Sequence, residues 1–97
     1  KDKNEEILQL LEEAIRKDSG HLEAMYYKGV YLLEMRDFGS ALDMFNYILE
    51  IRKKDARSFY RKGICLTKMG EYDEGKECLD KAVALDKDII KKIMDEY

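Results

Sequence analysis

A spacing of 34 residues organises this chain. The stretch Met25-Tyr26-Tyr27-Lys28-Gly29-Val30-Tyr31-Leu32 lies over Phe59-Tyr60-Arg61-Lys62-Gly63-Ile64-Cys65-Leu66, with Gly29 and Gly63 34 residues apart. The register continues. Met35 meets Met69, Phe38 meets Tyr72, Ala41 meets Gly75, Phe45 meets Leu79, Leu49 meets Val83 and Ile51 meets Leu85. Few of these pairs are identical, but size and polarity are kept. Self-similarity at a fixed period of this length signals a stacked array in which each unit buries its apolar face against the next.

Within each unit the apolar residues recur at helical spacing. Leu22, Met25, Gly29 and Leu32 form one stripe, and Ala41, Phe45, Ile48 and Leu49 form the next. The pattern predicts helices near 4–17, 22–35, 39–52, 56–69, 73–86 and 89–97. Good helix formers dominate and proline is absent from the 97 residues, which agrees with an all-α chain. Short connections force successive helices to run antiparallel. Asp55 and Asp88 are placed to cap the fourth and last helices. Gly70 stands where a helix end calls for a left-handed residue, and its counterpart is Arg36. The copies divide the single domain 1–97 into full repeats at 22–55 and 56–89. Residues 4–18 read as the second helix of a partial repeat, and 89–97 as a terminal helix. The chain does not open on methionine, so it is expected to be a piece of a longer protein.

Gly29 and Gly63 fall inside helices, where each costs about 1 kcal/mol against alanine. Two such costs at one register imply close helix crossings, with the small residues Ala41 and Gly75 as the expected partners. A leucine in place of Gly63 should overpack its crossing.

These residues carry a resemblance. Bulky–x–x–x–Gly–x–x–Leu followed by aromatic–x–x–small–x–x–x–bulky, in a 34-residue helix–turn–helix unit, resembles the tetratricopeptide repeat. Met25 and Phe59 stand at the family's tryptophan-favoured site. Lys28 and Lys62 replace a leucine, with stems able to pack and heads in water. Lys53 and Lys87 replace the closing proline. The resemblance implies an α-solenoid of stacked hairpins, a superhelix whose first helices line a concave groove for an extended peptide or partner helix. Carried onto this sequence, the groove positions are Glu23, Tyr26, Val30 and Leu33, then Arg57, Tyr60, Arg61, Ile64 and Lys68, then Lys91 and Met94. Tyr26 and Tyr60 would offer rigid aromatic surfaces, and Val30 and Ile64 an apolar floor. Arg57, Arg61, Lys68 and Lys91 would give the groove a positive lean and suit an acidic peptide. Of the lysine-and-asparagine clamp by which some members grip a chain-terminal carboxylate, only Lys91 matches. Tyr26, Val30 and Arg61 occupy the other positions, so no full clamp is implied.

The remaining chemistry is sparse. Formal net charge is −3, from 18 basic and 21 acidic residues, which makes nucleic-acid binding through Arg57, Arg61 and Lys68 a weak expectation. No apolar run approaches the ~20 residues of a membrane span, and no secretory signal is visible. Cys65 and Cys78 are too few for a disulfide framework and suggest buried thiols in a reducing, cytoplasmic setting. They show no zinc-ligand spacing, and the single His21 reads as a surface residue at a helix start. There is no nucleophile with a base and no glycine-rich phosphate loop, so neither catalysis nor a cofactor is expected. A non-catalytic adaptor or scaffold is the leading expectation. The alternative is a structural segment of a longer repeat protein or a self-associating one, with the apolar faces at Ile7-Leu8-Leu11 and Ile93-Met94-Tyr97 covered at the repeat ends.

Overall fold

The computed structural model describes residues 3–96. Its helices are α1 (Lys3–Lys17), α2 (Leu22–Glu34), α3 (Phe38–Ile51), α4 (Ala56–Lys68), α5 (Tyr72–Leu85) and α6 (Ile89–Met94). Five of them match the periodicity to within a residue or so. The terminal helix is shorter than the sequence implies, closing at Met94, and Tyr97 lies outside the described residues. No strand occurs among the described residues.

Each repeat turns by the same device. Arg36 and Gly70 both take positive φ, 67° and 87°. The Asp37 N–H donates to the Leu32 carbonyl at 2.9 Å, and the Glu71 N–H to the Leu66 carbonyl at 2.8 Å. These six-to-one bonds satisfy carbonyls that a helix end would leave unpaired. Arginine thus adopts a conformation that glycine reaches without strain, and the turn keeps its shape despite the substitution.

The helix starts are more varied than the sequence implies. His21 Nδ1 accepts from the Ala24 N–H at 3.2 Å, and an Asp37 carboxylate oxygen accepts from the Ser40 N–H at 3.4 Å. Asp55 and Asp88 occupy N-cap positions, but neither side chain accepts a helix N–H. Asp55 instead takes the Ser58 hydroxyl at 2.9 Å, and Ser58 is fully buried. At α6 it is Asp86 that accepts, from the Asp88 N–H at 3.0 Å and from Lys92 Nζ at 2.7 Å.

The core is built between the hairpins. Leu22, Met25, Tyr26, Val30, Ala41, Phe45, Ile48 and Cys65 form one buried cluster spanning α2, α3 and α4. Ala82, Ile89 and Ile93 form another, with Ala56, Phe59 and Tyr60 packed on it. The second hairpin closes on glycines, as the register implies. A Cβ on Gly63 would stand 2.9 Å from the Gly75 carbonyl oxygen and 2.7 Å from Leu79 Cγ. The first differs, because Gly29 faces the Phe45 ring, 2.7 Å from a built Cβ to Cζ, rather than Ala41.

Packing also fixes the curvature. Helix α4 touches both α2 and α6, whereas no packing pair joins α1, α3 or α5 to one another. The first helices of the repeats therefore converge on one side, and the second helices fan apart on the other.

Candidate concave interaction face

The converging helices place side chains one period apart beside each other. Glu23 on α2 and Arg57 on α4, at the same register, form an ion pair with a hydrogen bond from Arg57 Nη2 to Glu23 Oε1. Arg57 also stacks on the Tyr26 ring, its guanidinium carbon 3.8 Å from the centroid. One turn on, Arg61 Nε donates to the Tyr26 hydroxyl at 3.1 Å. Glu96, just past α6, then reaches both arginines, at 3.8 Å from Arg57 Nη1 and 3.7 Å from Arg61 Nη2. Three inner helices are thus laced by one aromatic ring, two guanidiniums and two carboxylates.

This lattice alters the expected groove. Tyr26 is 1% exposed and Arg61 7% exposed, so both are supports rather than open contact surface. Tyr26 packs edge-on against Tyr27 and Phe45, with ring centroids 5.1 and 6.0 Å away. Burial pushes its phenol above the usual tyrosine range, and the Arg61 hydrogen bond opposes that rise. For Arg57, burial works against the charge, but the Glu23 hydrogen bond and charge outweigh it and raise the guanidinium above its ordinary value. The positive lean read from Arg57 and Arg61 is therefore met internally. Among the expected cations, Lys68 on α4 and Lys91 on α6 remain exposed.

The other expected groove residues divide by depth. Val30 is buried. Leu33, Tyr60 and Ile64 are half-buried, with Leu33 against the first core and Tyr60 against the second. Met94 stands open on α6 at 68% exposure. A cavity of about 100 Å³ opens between the inner helices, lined by Tyr27, Val30, Tyr31, Glu34, Arg61 and Glu96. Of these lining residues only Val30 and Arg61 are among the expected groove positions. Tyr27, Tyr31 and Glu34 flank Val30 on the same side of α2. The signal for Glu23–Arg57 was present in the sequence as opposite charges one period apart.

The model of the tetratricopeptide repeat matches residues 56–89. An uncharacterised protein of Methanocaldococcus jannaschii is 30% identical over 70 residues, 72% of this chain and 81% of that protein. The chain is a tetratricopeptide-repeat protein. Among solved structures, MamA from Desulfovibrio magneticus RS-1, residues 41 to the end, is 26% identical with a TM-score of 0.81 over 91% of this chain. A second MamA crystal structure shares the fold at 20% identity and TM-score 0.80, over 93% of this chain. This tetratricopeptide-repeat chain spans 50% and 53% of those two chains, about half their length. Its fold is that of a helical-repeat protein-interaction module. None of its helices, among the described residues, is long and apolar enough to cross a membrane.

Proposed function

We propose that this chain is a non-catalytic adaptor that holds a peptide or partner helix against the concave face of α2, α4 and α6. The observation that carries the reading is the convergence of these three helices while α1, α3 and α5 diverge. A concave, partly apolar surface with a polar lattice beneath it suits an extended or helical guest. Leu33, Ile64 and Met94 supply apolar contact, Tyr60 a half-buried aromatic surface, and Lys68 and Lys91 reach an acidic stretch of a guest. Two anchors and a few polar contacts fit micromolar affinity, about −8 kcal/mol. The free, buried Cys65 and Cys78 suit a reducing, cytoplasmic setting.

The test uses a peptide selected from a random display library on the wild-type chain. Its affinity is measured for a Lys68→Ser/Met94→Ser double variant and for Tyr47→Ser on the outer helix α3. All three residues are exposed, so the core is untouched. The double variant should weaken binding about tenfold, ~1.4 kcal/mol, and Tyr47→Ser should leave it unchanged. Equal affinity across all three proteins would remove the concave groove from the account.

A second reading rests on the chain's ends. Leu8 and Ile93 are buried, but Leu10 and Met94 stand 67% and 68% exposed. Self-association through these faces predicts a sedimentation coefficient that rises with concentration. A constant monomer value would dispose of it.

A further inference from the structure

The geometry points to a subsite for a cationic side chain, lysine or arginine, in the cavity between Tyr31, Glu34 and Glu96 on the concave face. The inference rests on the concave-face reading and adds the chemistry of one anchor.

Charge carries it first. Two carboxylates, Glu34 and Glu96, line the cavity against one guanidinium, Arg61, and the neighbouring Glu23 and Arg57 pair with each other. Both guanidiniums are already engaged. Arg57 pairs with Glu23 and Glu96, and Arg61 pairs with Glu96 while donating to Tyr26. Glu34, exposed at the cavity wall, belongs to none of the ion pairs of the described residues. One negative charge is therefore left over at the opening. An incoming carboxylate would add to that excess, and an incoming cation would neutralise it.

Shape and surface agree. Tyr27 and Tyr31 are one helical turn apart on α2 and both line the space. Aromatic faces attract ammonium and guanidinium groups, and this chain already uses that attraction at Arg57 over Tyr26. A volume of about 100 Å³ holds roughly three waters at ~30 Å³ each. That is room for the end of one side chain and well short of the ~300 Å³ at which small-molecule pockets begin. Val30 at the floor would pack against the methylene stem.

The experiment starts from the display-selected peptide. Each lysine or arginine in it is replaced by norleucine, which keeps the stem and removes the charge. Affinities are then measured for the wild type and for Glu34→Gln. One basic position should lose about tenfold on the wild type and less than about twofold on Glu34→Gln, the coupling that marks a direct pair. Selected peptides that hold no basic residue, or equal losses on both proteins, overturn the subsite. Failure of the wider reading looks different, because there the Lys68→Ser/Met94→Ser variant itself binds as well as the wild type.

Discussion

Replacing Gly63 by alanine should destabilise the chain, although the same exchange usually strengthens a helix. On propensity alone the substitution gains about 1 kcal/mol. The added Cβ, however, would lie 2.7 and 2.8 Å from Leu79 Cγ and Cδ2 and 2.9 Å from the Gly75 carbonyl oxygen. Leu79 can rotate, but the Gly75 oxygen belongs to the backbone of α5 and moves only if the whole hairpin opens. Overpacking of this kind typically costs 1–3 kcal/mol, so the net loss runs from about 0 to 2 kcal/mol. In a domain of this size that lowers the melting temperature by up to roughly 15 °C. Gly39 is the internal control, since a Cβ there meets nothing within 4 Å, and Gly39→Ala should gain about 0.4–1 kcal/mol. Urea denaturation followed by circular dichroism measures both variants under one protocol. If Gly63→Ala is stabilised as much as Gly39→Ala, the tight α4–α5 crossing is not a real constraint.

Arg36→Gly should stabilise by about 0.5–1 kcal/mol in the same assay, because Arg36 holds φ at 67° with a side chain attached. Loss of its stacking 5.3 Å over Phe38 is a small offset at an exposed site, and a destabilised variant would contradict the strain. Tyr26→Phe removes the oxygen that accepts from Arg61 Nε and should cost about 1–3 kcal/mol, so an unchanged midpoint would show that this bond contributes nothing. Burial pushes the Cys65 thiol up to about 11, which keeps it protonated and shielded. A thiol reagent at pH 8 should therefore label Cys65 only at the rate of unfolding, and rapid stoichiometric labelling in the native state would refute that placement.

The sequence disclosed the fold because the repeat made every helix its own witness. The stripe of Leu22, Met25 and Leu32 set α2, and the same register set α4 through Phe59, Gly63 and Leu66. The turn at Arg36 could be located only from its partner Gly70, since arginine carries no turn signal of its own. Caps were less legible, because Asp55 and Asp88 had the right type and position but their carboxylates lack a helix N–H partner, and at α6 Asp86 holds the bonds instead. The concave face was legible as a set of positions but not as a charge. Glu23–Arg57 follows from opposite signs one period apart. Glu96 does not, because it stands five residues beyond the register of Arg57 and one beyond that of Arg61, and is brought to them by the packing of Ile89 and Ile93 on α4 and α5. Gly29 shows a similar limit: its partner depended on whether Ala41 or Phe45 faced the crossing, a difference of one helical turn.

Chemical-shift mapping of the isotopically labelled chain, titrated with its display-selected peptide, reads out which face of the solenoid holds the guest. Perturbations should concentrate on α2, α4 and α6, at Tyr31, Ile64 and Met94 among others, with α1 and α3 little changed. Shifts centred on Tyr47 and the outer helices would place binding on the convex side and contradict the account.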